Sequence, residues 1–188
     1  MLVDTSTPWI NVHLGPRPED HPEIPLESTA PAHAERLTEA LIRDVTSIID
    51  RFGADRVVGE NIFGARGMHL QASVLPTVAR QVVEATGCGF LLDLSHARLA
   101  AEELGISPKE YIEALPVDHI KEIHVTGIQH FSEPWVTRAR AVGLDEQTVR
   151  DLQGRRIDHL PMTDEDWDFL RWSLALSNGG TWQAAEIL

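Results

Sequence analysis

Hydrophobic residues along the chain follow two alternating patterns, each typical of one kind of element. Short, nearly continuous apolar runs such as Gly89-Phe90-Leu91-Leu92 predict strands that are buried on both faces of a sheet. Apolar residues that recur every three or four positions between Leu37 and Phe52 predict a helix with one apolar face. The predicted strands cover residues 9–14, 56–60, 89–93, 120–125 and 181–186. The predicted helices cover residues 34–52, 69–86, 96–104, a segment that begins at Pro108, and 163–176.

The alternation of strands and helices determines the fold class. Strands joined through helices by short loops predict a parallel sheet with right-handed crossovers. A closed eight-stranded barrel usually needs about 250 residues, whereas this chain has 188 residues. We therefore predict an α/β, TIM-barrel-like (β/α) fold, an incomplete or truncated barrel of about five parallel strands. One domain is expected over residues 1–188, with a polar, partly helical excursion over about 127–156.

Composition and charge indicate which classes of partner the protein is expected to bind. The chain has 29 acidic and 16 basic residues and a net charge of −13, which disfavours binding to nucleic acid. Its apolar runs are all far shorter than the roughly 20 residues needed to span a bilayer. Met1-Leu2-Val3-Asp4 is not a basic region followed by an apolar stretch, so we expect no secretory signal. The single cysteine, Cys88, allows no internal disulfide. We expect a cytoplasmic protein without a membrane partner.

Acidic and histidine residues stand where the predicted strands end. The carboxyl ends of parallel strands form the ligand-binding face of such folds, so these side chains should converge on one cavity. Each has an ordinary alternative role, as a cap or as a hydrogen-bonded core histidine, and only the joint pattern points to metal. These residues are His13, Glu60, Asp93, His124 and Glu186.

Two local motifs extend this set. Asp93-Leu94-Ser95-His96 places a carboxylate at a strand end and an imidazole three residues later, where the next helix begins. Asp158 and His159 are predicted to lie in a loop that leads to the helix at 163–176. Imidazoles and carboxylates without thiolates suit Fe, Mn or Zn, and the set is large enough for two or three ions. Asp158, Asn61 and His130 are further candidates, either as ligands or as hydrogen-bonding partners of ligands.

Four segments carry a resemblance to a known family. The chain resembles domain of unknown function 692, a family of multinuclear non-haem iron-dependent oxidative enzymes with a xylose-isomerase-like barrel. The resemblance implies a di- or tri-iron site and the use of dioxygen to oxidise cysteines of ribosomally made precursor peptides, often with a partner protein that presents the peptide. The matching segments are Val58–Asn61, Thr86–His96, Ile120–Gly127 and Asp158–Met162. The implied ligands are His13, Glu60, Asp93, His96, His124, His159 and Glu186.

The chain departs from the family pattern in ways that lead to further expectations. The family usually separates the Asp and His of the fourth segment by one residue, whereas Asp158 and His159 are adjacent. At most one of them is therefore expected to reach the metal. The family's barrel begins with two βα units that should precede residue 9, so a short relative is expected to cover its open sheet edges with a partner subunit, such as a second copy of itself.

Three functions are open from the sequence. The first is an iron- and dioxygen-dependent enzyme that acts on a peptide cysteine or a small molecule. The second is a hydrolase or sugar isomerase or epimerase of the same superfamily that uses Zn or Mn as a Lewis acid. The third is a degenerate, non-catalytic barrel that acts as a binding module. Dioxygen consumption separates the first from the second, and loss of function on replacing Glu60 or Asp93 separates an enzyme from a binding module.

Overall fold

A computed structural model describes residues 8–64 and 69–176 and the backbone of residues 183–186. Within that part of the chain, five strands form one parallel sheet in the order β1-β2-β3-β4-β7. The described strands form an open sheet rather than a closed barrel, so the predicted α/β fold, a partial TIM-like barrel, is confirmed. The strands of this sheet are β1 (Ile10–His13), β2 (Val57–Glu60), β3 (Gly89–Asp93), β4 (Ile120–Val125) and β7 (Gln183–Glu186).

Helices follow the strands as the alternating pattern predicts. Proline occupies the first turn of α1, α2 and α4, where its missing N–H costs no hydrogen bond. Gly87 ends α2 in a left-handed conformation (φ 70°) that reverses the chain into β3. The helices are α1 (Pro31–Phe52), α2 (Pro76–Thr86), α3 (Leu94–Leu104), α4 (Pro108–Ala114), α5 (Trp135–Ala141), α6 (Glu146–Leu152) and α7 (Asp164–Leu174).

The helix predicted over residues 69–86 was wrong in its first part. Residues Gln71–Val74 form a separate 3-10 turn, and Leu75 is extended (φ −60°, ψ 130°) before α2 begins at Pro76. The ring of a proline disfavours helical backbone at the residue before it, so Leu75 separates the two segments.

The core lies between the sheet and its helices. Phe90 and Leu92 of β3 and Ile123 of β4 pack there against α2 and α3. Side chains alternate along a strand, so Asp93 and His124, paired in register, face away from this core. The sheet thus presents its apolar side to the helices and its polar strand ends to the opposite side.

The polar excursion contains structure that its sequence pattern did not predict. Strands β5 (Gly127–His130) and β6 (Arg156–Leu160) pair antiparallel, with α5 and α6 between them. Phe131, Val136 and Val149 form a small separate core under this unit. Asp158 and His159 therefore lie on a strand, and the prediction that they lie in a loop was wrong. Among the described residues, no helix is both long and apolar enough to cross a membrane.

Candidate metal centre

His13 and Glu60 end the neighbouring strands β1 and β2 and are paired in register. Their Nε2 and Oε2 atoms lie 3.3 Å apart, and Asn11 donates a hydrogen bond from Nδ2 to the same Oε2. Glu60 is only 3% exposed, whereas the His13 side chain is 60% exposed. Burial opposes ionisation, but the contacts with His13 and Asn11 outweigh it and lower the pKa of Glu60. A buried carboxylate is thus kept ionised beside an exposed imidazole.

Asp93 ends β3 and also caps α3. Its Oδ1 accepts a hydrogen bond from the backbone N–H of His96 (2.8 Å), which fixes the carboxylate at the start of the helix. The neighbouring residue in register on β4 is His124. Ligand atoms of Glu60, Asp93 and His124 all lie within 4.8 Å of one another. Burial raises the pKa of Asp93 and outweighs the opposing charge of His96, whose Nδ1 lies 3.8 Å from Asp93 Oδ2.

His96 lies at the centre of the cluster and is 9% exposed. Its Nδ1 is 2.9 Å from the Asn61 carbonyl oxygen and 3.5 Å from Glu60 Oε1, and its Nε2 is 3.2 Å from Asp158 Oδ2. Burial lowers the pKa of His96, but the Asp158 carboxylate and the charge of Asp93 outweigh this effect and raise it to about 9. The protonated imidazole therefore neutralises part of the negative charge of the surrounding carboxylates.

A bulge in β6 brings both Asp158 and His159 to the cluster. Between the pairs Gly127–Leu160 and Gln129–Ile157, two residues of β6 stand opposite one residue of β5. His159 has a positive φ of 58°, whereas adjacent residues of a regular strand would face opposite sides. Ligand atoms of His96, Asp158 and His159 lie within 4.8 Å of one another, so both adjacent residues approach the cluster. That at most one of them binds a metal stays a prediction.

The candidate ligands form three overlapping groups within the described part of the chain. Glu60 and His96 each belong to two of the groups, so the three lie side by side rather than at separate sites. The groups are His13–Glu60–His96, Glu60–Asp93–His124 and His96–Asp158–His159.

The donor set fits cations. Asp158 Oδ2 is buried and makes no hydrogen bond within the described residues, although His96 Nε2 lies 3.2 Å away. An unsatisfied buried carboxylate oxygen is costly unless a cation or water binds it. Carboxylates and imidazoles are also the ligands preferred by Fe, Mn and Zn in mixed sites.

Two polar residues of the site were missed from the sequence. Glu122 lies two residues before His124 on β4, and its Oε1 is 3.0 Å from His124 Nε2. Asn11 lies two residues before His13 on β1 and contacts Glu60. Residues two apart on a strand face the same side, so this spacing from the predicted ligands could have identified both.

Three further candidates have different positions. Asn61 is buried and hydrogen-bonds the backbone of Asp93. His130 is exposed at the end of β5 and belongs to none of the three groups. Glu186 pairs through its backbone with Val125 on β4, and its side chain lies outside the described residues.

Relatives of this chain share parts of its sequence. A UPF0276 protein from Paraburkholderia phytofirmans is 46% identical over 48 residues, which are 26% of this chain. UPF0276 proteins from Acaryochloris marina and Bordetella pertussis are 34% identical over 89 residues and 26% identical over 144 residues, which are 47% and 74% of this chain. The chain covers only 16%, 32% and 44% of the lengths of these three relatives.

The family match covers most of the fold and of the candidate metal centre. The sequence model of the family described as "RiPP precursor modification enzyme MbnB/TglH/ChrH" matches residues 31–171, about three-quarters of the chain. This match includes Glu60, Asp93, His96 and His124, and it confirms the resemblance predicted from the motifs. The chain therefore belongs to the MbnB/TglH/ChrH family of RiPP precursor modification enzymes.

Proposed function

We propose that this protein is a metal-dependent oxidative enzyme that uses two or three iron ions and dioxygen to modify a cysteine of a precursor peptide or a small-molecule substrate. The observation that carries the proposal is the set of three overlapping imidazole–carboxylate groups near the carboxyl ends of the parallel strands. The family described as modifying RiPP precursors supports a peptide as substrate.

Different residues of the site would bind different ions. Glu60 turns Oε2 toward His13 and Oε1 toward His96, so one carboxylate can serve two neighbouring ions. Asp93 and His124 would complete one group, and Asp158 and His159 another. Glu186 remains a proposed ligand on its position at a strand end and on the resemblance. Bound iron would supply Lewis acidity and one-electron redox chemistry.

Backbone contacts prepare His96 for this role. When the Asn61 carbonyl accepts a hydrogen bond from Nδ1–H, Nε2 is the ring nitrogen left to bind a cation. That atom faces Asp158, so this tautomer assigns His96 to the group with Asp158 and His159. Because the pKa of His96 is raised to about 9 without a cation, metal binding would displace a proton from Nε2.

Exposure differs across the site in a way that fits substrate access. Glu60 and Asp93 are buried, whereas the side chains of His13 and His159 are each 60% exposed. Phe63 packs against His96 with ring centroids 5.1 Å apart and limits water on that side. We propose that a substrate thiolate and dioxygen enter from the side of His13 and His159.

Metal analysis tests the proposal directly. Protein reconstituted with ferrous iron under anaerobic conditions should retain two or three ions per chain. Asp93→Asn should lose at least one ion while keeping the α3 cap, since Asn caps helices as well as Asp. Asp44→Asn, at an exposed position of α1, is the matched control and should retain all ions. Wild-type protein with far less than one iron per chain would contradict the proposal.

Dioxygen consumption then separates the proposal from its alternative. The same donor set suits Zn or Mn, which would support a hydrolase or a sugar isomerase or epimerase. An iron-loaded oxidative enzyme should consume dioxygen when mixed with synthetic cysteine-containing peptides, and the corresponding serine peptides should give no uptake. Full metal loading without uptake on any such peptide would favour the Lewis-acid alternative.

The unpaired edge of the parallel sheet is relevant to the binding of partner proteins. Among the described strands, β1 lies at an edge of the five-stranded sheet. We propose that a peptide-presenting partner protein or a second copy of this chain covers the open edge, since unpaired strand edges favour association. Light scattering of the purified protein, with and without metal, would measure the oligomeric state.

A further inference from the structure

A pair of buried hydroxyl groups links α3 to the β6 bulge behind the candidate metal centre. Ser95 lies on α3 between Asp93 and His96 and is 1% exposed. Thr126 lies between β4 and β5 and is 5% exposed. Their Oγ and Oγ1 atoms are 2.9 Å apart, with Thr126 donating to Ser95. Two segments that carry candidate ligands are therefore joined by side chains that bind no cation themselves.

The hydrogen bonds of this pair are mutually consistent. Ser95 Oγ donates to the Thr126 carbonyl (2.9 Å) and accepts from the Thr126 backbone N–H (3.0 Å). Thr126 Oγ1 accepts from the backbone N–H of His159 (3.0 Å). Each hydroxyl thus donates one hydrogen bond and accepts at least one.

The contact with His159 matters because of the bulge. Two residues of β6, Asp158 and His159, oppose one residue of β5, so the regular β-ladder is interrupted there. Thr126 Oγ1 supplies an acceptor for the His159 N–H at this interruption. The hydroxyl therefore stabilises the backbone conformation (φ 58°) in which Asp158 and His159 both approach His96.

We propose that Ser95 and Thr126 are positioning residues, which hold the Asp158–His159 bulge against α3 so that the group His96–Asp158–His159 forms. This inference rests on the proposed metal-binding function of that group. Side chains that orient metal ligands typically contribute about 10- to 100-fold to metal affinity. Removal of the Thr126 hydroxyl should weaken one ion by about that factor and leave the Glu60–Asp93–His124 group occupied.

Thr126→Val and Thr126→Ser form the decisive pair. Valine keeps the shape of threonine but leaves the His159 N–H without its acceptor, whereas serine keeps the hydroxyl. Thr38 offers a matched control, since it is also 5% exposed and its hydroxyl bonds only its own helix (2.8 Å to the Ala34 carbonyl). Thr38→Val should therefore leave the metal centre unchanged.

Two measurements test the inference. Amide hydrogen exchange of the metal-free protein should be about tenfold faster at His159 in Thr126→Val, as loss of one hydrogen bond predicts. Cobalt(II) titration should show one ion bound about 10- to 100-fold more weakly in Thr126→Val. Thr126→Ser and Thr38→Val should match wild type in both measurements, which a general loss of stability would not produce.

The outcomes distinguish this inference from the function on which it rests. Wild-type exchange at His159 and wild-type cobalt affinity in Thr126→Val would overturn the positioning role. Failure of Thr126→Ser to restore both values would also overturn it, because shape rather than the hydroxyl would then be responsible. Wild-type protein that binds no cobalt would overturn the proposed function, while the exchange data would still decide whether the hydroxyl holds the bulge.

Discussion

The side chain of Asn61 hydrogen-bonds both backbone groups of Asp93. Asn61 Nδ2 donates to the Asp93 carbonyl and Asn61 Oδ1 accepts from the Asp93 N–H, both at 2.9 Å. Asn61 follows the last residue of β2, so its amide continues the pairing with β3 beyond the end of the strand. These two hydrogen bonds fix the backbone of Asp93, and with it the position of its carboxylate, relative to β2.

Asn61→Ala should therefore weaken both the fold and the site. The change removes two buried hydrogen bonds and leaves the Asp93 N–H without the Asn61 acceptor, which should destabilise the protein by about 2–3 kcal/mol. Urea unfolding measures this loss. Gln147→Ala removes an exposed amide on α6 and should change stability by less than about 0.5 kcal/mol. Equal stability of Asn61→Ala and wild type would contradict the role assigned to Asn61.

Hydrophobic patterning predicted the five strands of the parallel sheet because each has a strongly apolar or alternating sequence. It did not predict β5 and β6, where Gly127-Ile128-Gln129-His130 and Arg156-Ile157-Asp158-His159-Leu160 carry few apolar residues. Their pairing depends on contacts over about 30 residues of chain, and a local pattern cannot report such contacts. The start of α2 differs from the prediction for a local reason, because Pro76 disfavours helical backbone at Leu75.

Most of the candidate site was predictable from one rule, that parallel strands end on the ligand-binding face. That rule places His13, Glu60, Asp93 and His124 together, as the structure does. It could not place His159 beside Asp158, because the bulge and its positive φ depend on pairing with β5. The orientation of His96 likewise depends on a carbonyl, that of Asn61, which no side-chain pattern reveals.

Replacements of Glu60 and Asp158 should remove different numbers of ions. Glu60 belongs to two of the three groups, whereas Asp158 belongs to one. After anaerobic reconstitution with iron, Glu60→Gln should lose two ions per chain and Asp158→Asn one. Glu84→Gln, an exposed carboxylate on α2, should lose none. Equal losses in Glu60→Gln and Asp158→Asn, measured by elemental analysis, would contradict a bridging position for Glu60.

A buried ion pair joins α3, the helix that carries His96, to α7. Arg98 and Asp166 form this pair, and Asp166 has no exposed surface. Asp166 Oδ2 also accepts hydrogen bonds from the Thr163 N–H and hydroxyl (both 2.7 Å), which completes the cap of α7. Burial alone would raise the pKa of Asp166, but Thr163 and Arg98 outweigh burial and lower it.

Asp166→Asn should destabilise the protein in a pH-dependent manner. Breaking the buried pair should cost about 3 kcal/mol at neutral pH. Because the pKa of Asp166 is lower in the folded state, its stabilising contribution is complete above the unfolded value of about 4. The contribution is lost as pH falls from there through the lowered folded value. The stability difference between Asp166→Asn and wild type should therefore shrink below about pH 4 in urea unfolding.

Asp168 provides the matched control for Asp166. It lies on the same helix and pairs with Arg171, but both side chains are more than 70% exposed. Exposed pairs contribute about 0–1 kcal/mol, so Asp168→Asn should have a small effect at every pH. A large effect of Asp168→Asn, or an effect of Asp166→Asn that is constant from pH 7 to about 3.5, would be inconsistent with this assignment.

The positive φ of His159 predicts which replacements the bulge tolerates. Asparagine adopts the left-handed region readily, whereas the branched Cβ of valine is strained there by about 1–2 kcal/mol. His159→Val should thus be less stable than His159→Asn by about 1–2 kcal/mol, although both remove the imidazole. At His130, an exposed strand residue without positive φ, valine should be the more stable replacement of the two. Thermal unfolding of the four variants measures both differences. If valine were the more stable replacement at His159 as well as at His130, His159 would lack the backbone conformation on which the bulge depends.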